Sequence, residues 1–297
     1  MRLSVVLVAT LFALEGCAAT PARTGAPLAV AQGPSFSAAS KRSIESVPTT
    51  SLVWAKANDG SFATVRVDDD GNVLDRTAGI RIIASHGEWT WSTRREVIAT
   101  ADCTSPAIPA REGWSTTASL VNGRNEQVVA RRKVDVESLN EVSHAVELLF
   151  SLGPLLFVEE RESLFACGAH GTESRTFMVW DLEKREKVQV LDQLPQPRLR
   201  AMARPLLVEG GGFADGDPEI TEIVPLLRDG RVRFEAQVTG SACYACGDGR
   251  WSSYTRSVRV PVDPPPALAP HIHVPRGVAA FAQTHPDLTV GGFSHLP

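Results

Sequence analysis

From Ser51 onward, short runs rich in β-branched, aromatic and aliphatic residues are separated by glycine turns, and this punctuation limits the fold more than any other feature. Asn58-Asp59-Gly60 separates residues 51–57 from 61–67, and Asp68-Asp69-Asp70-Gly71-Asn72 follows directly. His86-Gly87, Asn122-Gly123, Gly153-Pro154 and Arg228-Asp229-Gly230 repeat the device farther along. Asp-Gly and Asn-Gly supply the positive φ angles that a tight turn between twisted strands requires. The expectation is therefore a β-rich body of antiparallel hairpins, for which a β-propeller or β-sandwich is the generic form. Asp68, Asp70, Asn72 and Asp75 also resemble an oxygen-ligand calcium loop. No glutamate stands at the twelfth position and no helical pattern flanks it, so the reading is a hairpin turn.

Trp89 and Trp91, two residues apart, lie on one side of a strand and read as closing a small core rather than as a ligand platform. Residues 114–121 and 126–136 form another hairpin, which completes an N-terminal β unit over 51–136 and leaves a β-rich α+β domain over 137–297. Residues 138–150 fit two periods. Val142, Ala145, Val146, Leu149 and Phe150 have helical spacing, whereas Val142, His144, Val146, Leu148 and Phe150 alternate as a strand does. Extended neighbours favour the strand. Near the end, Val278, Phe281 and Ala282 predict a short helix over 275–283, and Gly291-Gly292-Phe293 a final extended piece.

The chain's 297 residues carry 30 basic and 34 acidic side chains, spread along the whole length, for a net charge of -4. That leaves no electrostatic footprint for phosphate backbones, and nucleic acid is not an expected partner. At the N-terminus, Arg2 precedes an apolar run over residues 3–14, shorter than the ~20 residues of a membrane-spanning helix. Residues 1–16 read as a signal peptide. Leu14-Glu15-Gly16-Cys17 resembles the lipobox of bacterial lipoproteins, which implies lipidation of Cys17 and a membrane anchor. Glu15 departs from that pattern, and cleavage after Ala19 is the alternative. Residues 17–50, dominated by Ala, Pro, Ser, Thr and Gly, cannot bury enough apolar surface to fold and read as a flexible tether.

Of five cysteines, four remain once Cys17 is set aside: Cys103, Cys167, Cys243 and Cys246. In an oxidising compartment an even number implies disulfides, and four cysteines allow three pairings. Chain entropy does not choose between them. The favoured set is Cys103 with Cys167 and Cys243 with Cys246, because the short pair needs only a turn that Gly247 and Gly249 allow. A thioredoxin-like role for Cys243-x-x-Cys246 would need a helix N-terminus to lower a thiol pKa, and the flanks read as loop. A zinc set of Cys167, His170, Cys243 and Cys246 has suitable local spacings, but the compartment opposes it and it strands Cys103. His271-x-His273 reads as solvated, and no cofactor is expected.

Leu164-Phe165-Ala166-Cys167-Gly168-Ala169-His170-Gly171, then Phe177 to Lys184 and an acidic stop at Asp192, are similar to the extracytoplasmic domain shared by lysozyme-sensing anti-sigma factors and some peptidoglycan deacetylases. Gly168, Ala169, His170, Asp181, Leu182 and Asp192 match, and Tyr254 with residues 258–261 resembles the family's closing tyrosine and strand. The likeness covers at most residues 142–268 and nothing of a catalytic domain. Cys167 replaces a glycine, the Cys-x-x-Cys insert has no counterpart, and residues 192–219 are Pro- and Gly-rich where the family often has a helix. The resemblance implies an α+β fold, mainly β, with antiparallel hairpins, curved sheets and few short helices, used for binding in the envelope. It makes His170 a residue to watch, either as a turn residue or as a ligand contact.

Together these readings describe an exported, lipid-anchored envelope protein facing the periplasm or cell exterior, whose disulfide-linked body binds an envelope protein or a cell-wall glycan without catalysis. A thiol-disulfide protein and a cell-wall hydrolase are the rival readings. The expected binding edge is the loop between the strands flanking Cys243, presenting Tyr244, Arg250 and Trp251.

Overall fold

A computed structural model describes residues 50–100, 113–132, 141–165, 171–209, 216–248 and 250–295. The signal peptide, almost all of the tether, Cys17, Cys103, Cys167 and His170 lie outside the described residues. The described residues belong to one compact unit spanning Val47–Pro297. The chain runs through β1 (Ser51–Lys56), β2 (Phe62–Val67), β3 (Val73–Ala78), β4 (Arg81–Ala84), β5 (Gly87–Ile98), β6 (Gly113–Asn122), β7 (Asn125–Ala130), β8 (Glu141–Leu152), β9 (Leu155–Phe165), β10 (Thr172–Asp181) and β11 (Glu186–Val188). It continues through α1 (Gln196–Glu209), β12 (Glu219–Arg228), β13 (Arg231–Ser241), β14 (Thr255–Val262), α2 (Arg276–Thr284) and β15 (Thr289–His295). The fold is α+β and mainly β.

Among the described residues, twelve strands make one sheet with a spine ordered β11-β10-β9-β8-β15-β1-β2-β3 and a branch β4-β5-β6-β7; β12, β13 and β14 make a second sheet. Hairpins supply most pairings, and Gly60, Gly71, Gly123, Gly153 and Gly230 occupy their turns with positive φ. Two short parallel pairings tie the large sheet together: β6 to β8 through Trp114↔Ser143 and Ser115↔His144, and β8 to β15 through Gly292↔Ser151 and Phe293↔Leu152. Strands from before and after the expected boundary at residue 136 thus pair in one sheet, and residue 136 itself lies outside the described residues.

In β8, Val142, His144, Val146, Leu148 and Phe150 are buried in alternation, so the strand period decides the segment. A bulge between Leu148 and Phe150 then switches faces, sending Leu148 to one core and Phe150 to the other. β9 has the same double exposure to core. Leu155 and Phe157 pack with Phe150, Leu199 and Phe234, while Leu156 and Val158 pack with Trp54, Trp89 and Leu148. A strand covered on both faces reads as a continuous apolar run, as Leu155-Leu156-Phe157-Val158 does.

The segment read as Pro- and Gly-rich and without a helix is corrected: it contains α1. Leu199, Ala203 and Leu207 recur at four-residue spacing and are buried, packing against the second sheet. Pro197 stands in the first turn, where no intrahelical N–H bond is lost. Pro205 does interrupt the helix interior, and the buried stripe outweighs it.

Candidate functional site

β13 and β14 continue past their pairing into a loop closed by a Cys243–Cys246 disulfide, with Cα atoms 4.9 Å apart, around a single turn at Tyr244–Cys246. The backbone N–H groups of Cys246 and Gly247 donate to the Cys243 carbonyl, both at 2.9 Å. Gly247 has an ordinary negative φ. What it provides is space, since a Cβ there would stand 2.5 Å from the Ser253 carbonyl oxygen. Asp248 then ties the loop to its own base, accepting from Arg250 N at 2.9 Å and Ser257 N at 2.7 Å. No α-helix begins at the cysteines, so the dipole that would activate a redox thiol is missing.

The loop is also fastened to the large sheet. Ser253 N donates to the Glu173 carbonyl at 3.2 Å, Glu173 N donates to Ser253 Oγ at 2.9 Å, and Ser174 bridges Ser252. Arg250 and Tyr254 are exposed and Trp251 is half-buried on this braced support. Of the expected binding residues, Arg250, Trp251 and Tyr254 fall within five consecutive positions of this loop, and Tyr244 is in the turn itself.

Beneath the loop lies a polar seam on the second sheet. A bulge between Ile220 and Glu222 places Thr221 and Glu222 on the same side of β12, away from the apolar face of Ile220 and Ile223. Thr221, Thr239 and Ser257 bond hydroxyl to hydroxyl across the three strands, at 2.9 and 3.0 Å. The next row is Glu222, Gln237 and Arg259, which are cross-strand partners and therefore share a face. Arg259 Nη2 stands 3.7 Å from Glu222 Oε1, reaching across Gln237. Gln237 is 1% exposed, and neither its Nε2 nor its Oε1 has a hydrogen-bond partner.

Glu159 on β9 is 3% exposed and lies close enough for its charge to act on Glu222. Arg161 Nε donates to it at 2.5 Å and Arg175 Nη1 at 3.3 Å, while Arg161 Nη2 also reaches Glu147 at 2.8 Å. Burial pushes the Glu222 carboxyl above the usual carboxylate range; Arg259 pulls it back, and the negative charge of Glu159 adds to the rise. Arg250 also acts on Glu222, so the loop and the seam share one electrostatic field. Nothing in the sequence pattern announces the seam, whose members resemble ordinary solvent-facing strand residues. The available signal was Glu159-Glu160-Arg161-Glu162 directly after a fully buried apolar run.

The other face of β9 carries a second polar group. His144 is fully buried; its Nδ1 lies 3.1 Å from Ser115 Oγ and its Nε2 3.1 Å from Glu160 Oε2. Ser115 Oγ also donates to the Arg132 carbonyl at 3.3 Å, and Arg132 Nη1 pairs with Glu162 at 2.9 Å. These bonds join β6, β8 and β9 where β6 and β8 share only two residue pairs.

A cavity of about 360 Å³ lies elsewhere, lined by Ile83, Ser85, Glu183, His271, His273 and His295 among others. Burial lowers the pKa of His271 and of His295, favouring neutral imidazoles. Among the described residues no group of three His, Cys, Asp or Glu side chains has metal-binding geometry. In the 68–72 turn, Asp68 accepts from Asp70 N, Asn72 N and Asn72 Nδ2 at 2.9–3.0 Å, so its oxygens bond within the turn.

No family model matches the chain, and no curated protein matches it. Among solved structures it is similar to a member of the DUF3298 family from Bacteroides fragilis, at 12% identity and a TM-score of 0.39, over 66% of this chain and 98% of that one. It is also similar to a DUF3298 family protein from Pseudomonas aeruginosa, at 12% identity and a TM-score of 0.31, over 63% of this chain and 94% of that one.

Proposed function

We propose that this protein is exported, anchored to a membrane through lipidated Cys17, and binds an envelope protein or wall glycan through the clasped loop, without catalysing a reaction. The observation that carries this reading is the loop itself. A disulfide, Asp248 and the Glu173–Ser253 bonds hold it rigid, so Arg250, Trp251 and Tyr254 meet a ligand with little ordering entropy left to lose. Export and anchoring rest on the N-terminal sequence, and among the described residues no helix is long and apolar enough to cross a membrane. Membrane extraction of Cys17→Ala tests the anchor, since retention at the membrane contradicts lipidation. Trp251→Ala tests the edge: a folded variant that keeps every ligand and partner of the wild type rules it out.

One observation favours an enzyme, namely the Ser115–His144–Glu160 hydrogen-bond relay, which has the order of a hydrolase triad. Ser115 is 8% exposed and its hydroxyl is shared with the Arg132 carbonyl, which suits a strand stitch better than a nucleophile. A fluorophosphonate probe separates the two, because covalent labelling of Ser115 would establish the hydrolase.

A further inference from the structure

We infer that the seam under Arg259 is the ligand subsite of the clasped loop and that it recognises an acidic glycan, a sugar chain bearing carboxylates. This rests on the binding reading above and names the chemistry of the ligand.

Gln237 carries the inference. Its strand neighbours Ala236 and Val238 are apolar and pack in the core, whereas Gln237 is buried on the opposite face with both ends of its amide unpaired. Leaving a buried polar group unbonded is costly, and a leucine of similar size avoids that cost. An amide held there at the expense of stability is explained by a group that comes to it. Its cover is loose. Arg259 approaches Glu222 only to 3.7 Å, beyond hydrogen-bond range, and its side chain is 37% exposed. The ligand enters from the β14 edge by displacing Arg259, while Glu159 stays paired with Arg161 and Arg175.

The groups so uncovered are planar: an amide, a carboxyl and a guanidinium. Such groups form paired hydrogen bonds with the adjacent hydroxyls of a sugar or with a carboxylate. The Thr221–Thr239–Ser257 hydroxyls continue the polar face toward the loop, where Trp251 and Tyr254 provide flat apolar surfaces of the size of a sugar ring. Charge selects the substituent. Arg161, Arg175, Arg250 and Arg259 stand against the carboxyls of Glu147, Glu159 and Glu222, and burial disfavours the ionised form of Glu222, so the remaining positive charge favours a carboxylate over an amine.

The test titrates the mature protein with two oligosaccharides of equal length, followed by calorimetry. One alternates N-acetylglucosamine with N-acetylmuramic acid and carries lactyl carboxylates; the other is chitotetraose, which lacks them. The first is expected to bind at least about tenfold more tightly. Gln237→Leu is expected to reduce that binding by about tenfold or more while its melting temperature holds or rises, and Arg259→Gln to erase the preference for the acidic chain. The inference is overturned if neither sugar binds, if both bind alike, or if Gln237→Leu leaves affinity unchanged. A partner protein that needs Trp251 but not Gln237, with no sugar binding, overturns the glycan while the loop reading stands. If Trp251→Ala loses nothing, the loop reading itself fails.

Discussion

The indole N–H of Trp54 donates to Ser151 Oγ at 2.8 Å, joining β1 to β8 across a separation of 97 residues. β15 lies between those two strands, and both side chains rest on its glycines. A Cβ on Gly291 would stand 1.9 Å from the Trp54 ring, and one on Gly292 2.2 Å from Ser151 Oγ. Trp54→Phe should cost about 1–3 kcal/mol, because it leaves a buried hydroxyl without its donor. Gly291→Ala should cost about as much or more through overpacking. Urea unfolding midpoints measure both, and wild-type midpoints would refute the assignment of Trp54 as the clamp on β15.

The 68–72 turn docks on α2. A Cβ on Gly277 would lie 1.9 Å from the Asp68 carbonyl oxygen, and one on Gly71 2.6 Å from Phe281 N. Arg276 Nη2 adds a contact to Asp70 at 3.3 Å, but both side chains are well exposed and the pair contributes little. Gly277→Ala should therefore destabilise by about 1–3 kcal/mol or more, and Arg276→Ala by less than about 1 kcal/mol. Thermal melts that rank the two variants in the opposite order would contradict this packing.

Opening the Cys243–Cys246 clasp should have a local effect. The chain-entropy model gives about 2 kcal/mol for so short a loop. Cys243→Ser with Cys246→Ser should lower the melting temperature modestly, speed amide exchange in the loop and leave the β8–β9 amides protected. Loss of protection throughout both sheets would show that the clasp holds the whole body.

Glu160 and Glu222 should give stability opposite pH dependences. The hydrogen bond from His144 holds Glu160 below its ordinary value of 4.5, although burial opposes it. Its contribution is present above the unfolded pKa and is lost as pH falls through the folded one. Glu222 is raised, so its favourable contribution is present below the unfolded pKa and is lost as pH rises through the folded value. Glu160→Gln should be less stable than wild type at neutral pH, by about 1.5–3 kcal/mol for a charge-assisted bond, with the gap closing in acid. Glu222→Gln should match or exceed wild type at neutral pH and lose that advantage in acid. Denaturation midpoints from about pH 3 to 8 test both signs.

The hairpins were legible in the residues because their causes are local. Gly60, Gly123 and Gly230 adopt the positive φ that their dipeptides imply, and the alternation in β8 survives in its burial. Trp89 is buried and Trp91 packs beside it, so the pair closes a core as its spacing implied. The clasped loop, too, was visible as a concentration of cysteine, glycine and aromatic residues. α1 was not, because prolines at 197 and 205 masked a stripe whose value lies in the sheet it covers.

Turns, alternation and the short disulfide are properties of neighbouring residues, and the chain determined them alone. The placement of β15 between β1 and β8, the two faces of β9 and the burial of Glu159, Gln237 and His144 were settled by tertiary pairing. Polar residues alternate in the same way whether their face meets water or another sheet. Whether Gln237 is solvated or sealed beneath Arg259 depends on strands far away in sequence, and so does its chemistry.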